Sequence, residues 1–216
     1  MTESELQKYG SFLEKNGYAH ATQVTEVVTI KQAINHWIDR GLLPPELNFT
    51  LEIDKVTEST TYCYTAEEVA AMVQHCRESG HLDWLADVLI GLAYTGTRIG
   101  ELAQLRWTAV HAKKIAVVDD SRRGDGHGSN GRTTKSGRSR LIPIHENLRS
   151  VLDRLRGDGG RGLVFRAQRG GPVRSRNVLQ IFIDEVIEPL KDRFPGEPEE
   201  PSFASGHLHS FRHYFL

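Results

Sequence analysis

Two apolar runs of helical period meet at a glycine-flanked turn, Thr95-Gly96-Thr97-Arg98-Ile99-Gly100, and this junction constrains the fold more than any other stretch. Before it, Leu82, Leu85, Val88, Leu89 and Leu92 recur at helical spacing. After it, Ile99, Leu102 and Leu105 do the same over a shorter run that closes on Trp107. Both runs must bury a face, so the turn is clamped between packed elements. It carries Arg98. A guanidinium is the side chain that grips phosphate oxygens in a bidentate fork, although a loop arginine can equally be a solvated surface residue.

The rest of the chain reads as mainly helical with one β interval. Leu6, Tyr9 and Leu13 mark a short amphipathic helix, and Ile30, Ala33, Ile34, Trp37 and Ile38 mark a second that runs toward Gly41 and Pro44. Lys31 and His36 on that helix read as solvent-facing. From Leu43 to about Tyr62 the period lapses into a Pro, Asn, Thr and Ser composition, which predicts a linker. The expected division is therefore a helical segment at 1–43, a linker at 44–63 and one larger domain at 64–216. The larger domain opens on a capping box, Thr65-Ala-Glu-Glu68, followed by Val69, Met72, Val73 and Cys76 on one helical face.

Past Trp107 the period changes. Ile115 and Val117 alternate with smaller or polar neighbours, and Leu141, Ile142 and Ile144 form a second β-like run. Between them, Asp119 to Arg140 is rich in Gly, Ser, Asp and Arg, which predicts a long, mobile, basic connection at a sheet edge; Lys135 lies within it. Leu148, Val151, Leu152 and Leu155 form another amphipathic helix, Leu163-Val-Phe165 is a short apolar run, and Val178, Ile181, Phe182 and Val186 mark a helix before Pro189. The fold class that follows is mainly α, α+β, with a small antiparallel sheet or β-hairpin.

The formal charge of −1 conceals an asymmetry along the chain. Residues 1–94 net −8 and residues 177–216 net −4, but residues 95–176 carry 18 Lys/Arg against 7 Asp/Glu, a net +11. A basic block that starts at the Arg98 turn is an electrostatic footprint for a polyanion. Arg132, Arg138, Arg140, Arg174 and Arg176 are its DNA-binding candidates. With 216 residues, 38% of them hydrophobic, the chain can bury a sizeable core. No run approaches the ~18 consecutive apolar residues of a membrane helix, which makes the cytoplasm the default location. Cys63 and Cys76 lack metal-ligand spacing and read as ordinary thiols.

The last segment, Gly206-His-Leu-His-Ser-Phe-Arg-His-Tyr-Phe-Leu216, sets His209 and Arg212 three apart, a spacing that puts them on one helical face. Here the chain resembles the tyrosine recombinase (phage integrase) family. The first family box is similar to Thr95-Gly-Thr-Arg98 with Glu101, Leu105 and Trp107; the hairpin lysine is similar to Lys135; the His-x-x-Arg-His box is similar to His209, Arg212 and His213. The resemblance covers roughly 64–216 and implies a helical catalytic domain of the DNA breaking-rejoining kind, after the remnant of a core-binding domain.

The resemblance further implies that Arg98 and Arg212 hold the scissile phosphate, that Lys135 is the general acid for the departing 5′-oxygen, and that His209 assists proton transfer. Glu101 and His213 would support these groups. It implies double-stranded DNA as the substrate, a homotetramer on DNA, and neither metal nor cofactor, because a phosphotyrosine link stores the bond energy. In the family the nucleophilic tyrosine lies some two to three dozen residues beyond the second box, so the expectation is a truncated recombinase with no nucleophile in this chain and no cleavage by it alone. Tyr214 lies two residues after Arg212, about 200° around a helix of ~3.6 residues per turn, and reads as packing, as does Tyr94. A catalytically silent DNA-binding relative and a type IB topoisomerase-like enzyme are the alternative readings.

Overall fold

The computed structural model describes residues 2–50, 61–117, 139–157, 160–197 and 200–215. The chain divides into two compact units, Met1–Thr60 and Thr61–Leu216. Among the described residues no helix is long and apolar enough to cross a membrane.

In the first unit α1 (Glu3–Lys15) packs on α2 (His20–Asp39). Thr2 caps α1 through a capping box with Glu5, satisfying two amides that the helix start leaves open. Leu6, Leu13, Val27 and Ile34 are buried at the contact. The apolar period places Trp37 with Ile34, yet its ring is 48% exposed. Two helices offer only one seam, and a residue a turn away from that seam stays in water. Lys31 is held to the segment that follows α2: its Nζ donates to Asn48 Oδ1 at 2.9 Å and stands 4.1 Å from the Phe49 ring centroid.

The second unit is organised on α4 (Asp83–Thr95), which follows α3 (Ala66–Glu78). The Thr65 capping box forms as its spacing predicts: Thr65 N–H donates to Glu68 Oε2 at 2.7 Å and Glu68 N–H to Thr65 Oγ1 at 3.2 Å. Val69, Met72 and Cys76 then face the core, where burial pushes the Cys76 thiol up to about 12. On α4, Leu85, Ala86, Val88, Leu89, Leu92 and Ala93 are all buried, so the helix is wrapped rather than half-exposed. It touches α3, α5 (Ile99–Ala103), α6 (Glu146–Arg156) and α9 (Ser210–Phe215), the two remaining α elements being α7 (Ser175–Phe182) and α8 (Glu188–Leu190).

Between α5 and α6 lies a two-stranded antiparallel sheet of β1 (Lys114–Val117) and β2 (Arg140–Pro143), with Ile115 opposite Ile142 and Val117 opposite Arg140. Ile115 and Ile142 face the core, while Leu141 points away and is 60% exposed, the alternation a half-buried strand requires. The run Leu163–Phe165 makes only an isolated bridge, from Leu163 to Arg106, and buries Phe165 against Gly91 of α4. A Cβ on Gly91 would sit 2.7 Å from that ring, so glycine is what lets the segment approach. The helix expected to stop before Pro189 instead continues from α7 through a π-helical turn, Ile183–Ile187, into α8. Pro189 lies inside this continuous run, and the carbonyl four residues before it, Glu185 O, which the missing N–H would have met, accepts instead from His75 Nε2 at 2.7 Å.

Candidate active site

The site begins where α4 stops. Gly96 adopts the left-handed conformation, φ 57°, and its N–H closes the helix on Leu92 O at 3.0 Å. Two buried hydroxyls brace the turn: Thr95 Oγ1 donates to Gly91 O at 2.6 Å and meets Thr97 Oγ1 at 2.8 Å. Arg98 therefore emerges from a stiff support. It occupies the N-cap of α5, where its own N–H donates to Glu101 Oε2 at 3.0 Å and its Nη1 to Glu101 Oε1 at 3.4 Å. A third of the Arg98 side chain remains open to solvent.

Glu101 is nearly enclosed, with 8% of its side chain exposed, and it also receives Arg140 Nη2 at 2.6 Å. Burial acts to raise its pKa. The Arg140 hydrogen bond, the Arg98 N–H and the two guanidinium charges outweigh that effect and hold the carboxyl below its ordinary value. The carboxylate therefore ties the Arg98 turn to the edge strand β2 and leaves the rest of the Arg98 fork unoccupied by protein acceptors among the described residues. Arg140 keeps less than a third of its side chain exposed and has its guanidinium anchored on Glu101.

The second half of the site arrives from α9. Arg212 Nη1 donates to the carbonyl of Gly96 at 2.7 Å, across 116 residues of chain. The left-handed turn thus faces Arg212 on one side and carries Arg98 on the other. His209 lies on the turn immediately before α9, its carbonyl accepting from Arg212 N–H at 2.9 Å. Burial, then the charges of His213, His207, Arg212 and Arg98, hold its imidazole below the ordinary histidine value. The His213 ring is exposed, with its centroid 5.6 Å from that of His209. Phe211 between them is fully buried, packed against Tyr64 and Phe182, and fixes the rotation of α9.

The structure thus gathers Arg98, Glu101, Arg140, His209, Arg212 and His213 around one turn. Arg174, at the N-cap of α7, and Arg176 are exposed and make no ion pair among the described residues. Lys135, Arg132 and Arg138 lie outside the described residues. Among those described, no group of three His, Cys, Asp or Glu could hold a metal ion.

Four tyrosines belong to this unit, and each is engaged. Tyr62 donates to Glu68 Oε1 at 2.6 Å, and Tyr64 is 2% exposed in an aromatic cluster. Tyr94 stacks on His145 at 4.5 Å and accepts from Asn147 Nδ2 at 2.6 Å. Tyr214 packs on the core beside it, and burial followed by the Tyr94 hydroxyl pushes the Tyr214 phenol up. Two residues complete the support, of which the sequence singles out only Gly96. Gly96 supplies the carbonyl for Arg212, and Phe215 lays its ring over Gly96, so close that a Cβ there would meet Phe215 Cδ1 at 2.5 Å. The Gly between two Thr is the one signal for this in the sequence.

The phage integrase family model matches residues 63–216. Among solved structures, that of the Tn1549 transposon integrase in complex with a circular intermediate DNA superposes with a TM-score of 0.73 at 18% identity, covering 99% of this chain and 71% of that one. That of a lambda integrase tetramer bound to a Holliday junction gives 0.69 at 19% identity, covering 98% of this chain and 55% of that one. A lambda integrase dimer bound to a COC′ core site gives 0.67 at 18%, covering 100% and 72%. A search of curated proteins finds no match. At such identities the likeness carries the fold.

Proposed function

Since the chain belongs to the phage integrase family, we propose that the 61–216 unit binds double-stranded DNA and serves site-specific strand cleavage and rejoining through a 3′-phosphotyrosine intermediate. The observation that carries this reading is that Arg212 bonds the carbonyl of Gly96, two residues before Arg98, with both guanidinium charges acting on His209. Two guanidinia held beside one turn can grip the non-bridging oxygens of a phosphodiester and neutralise the charge that grows on them in the transition state. His209, whose pKa is held below the ordinary histidine value by burial and then by its positive neighbours, can accept or share a proton there. Lys135 acts as the general acid, His213 supports His209, and Glu101 aims the arginines. The +11 block, with Arg132, Arg138, Arg140, Arg174 and Arg176, holds the flanking backbone.

The attacking tyrosine is none of the four in this unit, because each is hydrogen-bonded or packed against the core. The chain by itself therefore grips DNA without forming a covalent adduct. Residues 1–43 are the helical end of a core-binding domain, 44–63 the linker and 64–216 the catalytic domain. The protein works on DNA in the cytoplasm as a tetramer, the assembly in which lambda integrase is found on a Holliday junction.

Binding of a labelled duplex, followed by anisotropy over a salt series, tests the reading. With six phosphates neutralised, log K falls with log salt at a slope of about −5. Arg98→Ala and Arg212→Ala each weaken binding. A nicked suicide substrate gives no adduct. Salt-independent binding refutes the DNA assignment, and an adduct abolished by Tyr214→Phe refutes the account of Tyr214.

A further inference from the structure

At the opposite end of α4 from the Arg98 turn, a cavity of about 310 Å³ opens between α4, the end of α6 and the 160–166 segment. Its walls include the indoles of Trp84 and Trp107, the carboxylate of Asp87, and the side chains of Arg156, Arg161 and Arg166. Asp87 is only 3% exposed. Its Oδ1 accepts from Arg77 Nη2 at 2.5 Å and from Arg154 Nη2. Its Oδ2 has no donor among the described residues. Arg156 lies over the Trp107 ring, 5.1 Å from the centroid, and Arg166 donates to Arg161 O at 3.3 Å. No acidic side chain pairs with Arg156, Arg161 or Arg166 among the described residues.

These groups select a ligand by elimination. The volume is at the lower end for small-molecule sites, which begin at about 300 Å³. The half-buried Trp84 indole favours a flat, polarisable body, while Trp107 lies buried beneath Arg156. A simple cation is opposed by three guanidinia, and a simple anion leaves the free oxygen of Asp87 unmatched. The complementary molecule carries an N–H donor at one end of an aromatic ring and an anionic group at the other. We propose that this cavity binds a nucleoside phosphate whose base bears an amino group: the amine donates to Asp87 Oδ2, the base lies against the Trp84 indole, and the phosphate meets Arg161 and Arg166. The site is separate from the phosphate-gripping turn and does not depend on it. A free mononucleotide and the 5′-phosphorylated end of a strand share this chemistry.

Isothermal titration of the full chain with 2′-deoxyadenosine 5′-monophosphate tests the assignment. Saturable one-to-one binding below about 1 mM is expected. 2′-Deoxynebularine 5′-monophosphate, the purine nucleotide without the amine, and deoxyadenosine, which lacks the phosphate, should each bind at least about tenfold more weakly, the loss of a charge-assisted hydrogen bond. The Arg161→Ala/Arg166→Ala double variant alters exposed residues only and should lower affinity for the adenine nucleotide at least about tenfold while leaving its preference over the unaminated purine nucleotide intact. Asp87→Asn, if it folds, should erase that preference. A single-stranded oligonucleotide with a 5′-phosphorylated terminal dA that competes as tightly as the mononucleotide assigns a strand end; failure to compete assigns the free nucleotide. No saturable binding, equal affinity for the adenine and the unaminated purine nucleotides, or displacement by a blunt unphosphorylated duplex overturns the proposal.

Discussion

Replacing Gly96 with alanine probes the joint on which the site depends. At φ 57° an alanine suffers the left-handed penalty of about 1–2 kcal/mol. Its Cβ also falls 2.5 Å from Phe215 Cδ1 and 2.8 Å from Cγ, well inside contact distance. The Phe215 ring is 43% exposed, so it can swing outward rather than force the turn open. That movement forfeits part of its apolar contact, about 1 kcal/mol. Together Gly96→Ala should lose about 2–3 kcal/mol. Phe215→Ala should lose about 1 kcal/mol by itself. The double variant, which has no ring to displace, should be no less stable than Gly96→Ala, a favourable coupling of about 1 kcal/mol. Urea unfolding followed by Trp84 and Trp107 fluorescence, in a Trp37→Phe background, reads the 61–216 unit alone. Duplex DNA affinity should fall with Gly96→Ala, because Arg212 is registered on the Gly96 carbonyl. Strict additivity of the two substitutions, or a Gly96→Ala loss of under about 0.5 kcal/mol, would refute the clash and with it the account of how α9 seats on the turn.

Three further outcomes follow from the ionisable groups. Glu101→Gln should cost about 1–3 kcal/mol, because it withdraws the charge from a buried acceptor of two arginines. Since the folded-state pKa of Glu101 is depressed, its contribution is present above the unfolded value of 4.5 and lost as pH falls through the lower folded one; acid titration of the variant should lack that component. His209 has a depressed pKa in the free protein, and a bound phosphate must raise it, so binding takes up a proton. Duplex affinity should strengthen as pH falls from 7 toward and below 6.5, and His209→Gln should flatten the profile. His81, whose pKa is raised by its 2.6 Å bond to Glu185 and then by the Ser79 carbonyl, should contribute stability below pH 6.5 that fades as pH rises through its higher folded value. His81→Gln should remove this dependence from urea midpoints measured at pH 6 and pH 8.

Local features of the chain were legible without the structure because their determinants lie within a few residues of one another. The Thr65–Glu68 capping box, the buried period of α4, the alternation of Ile115 and Ile142, and the glycine that ends α4 each express a hydrogen bond or a repeat that short chain segments specify. The residue types of the site were legible for the same reason, as motifs around Arg98 and Arg212. Their partners were not. Arg140, expected at a DNA-binding edge, is anchored on Glu101 across 39 residues, and Arg212 reaches Gly96 across 116. Trp37 shares a helical face with Ile34 but remains in water, and the helix after Val178 widens into a π turn rather than stopping before Pro189. Such outcomes depend on which surfaces meet once every element has been packed, and the energies involved are sums over distant neighbours. The chain alone therefore specified that helices would bracket a rigid turn bearing an arginine. Tertiary packing decided that α9 would close on that turn through a single glycine carbonyl, because only an unsubstituted Cα leaves room for Phe215 above it.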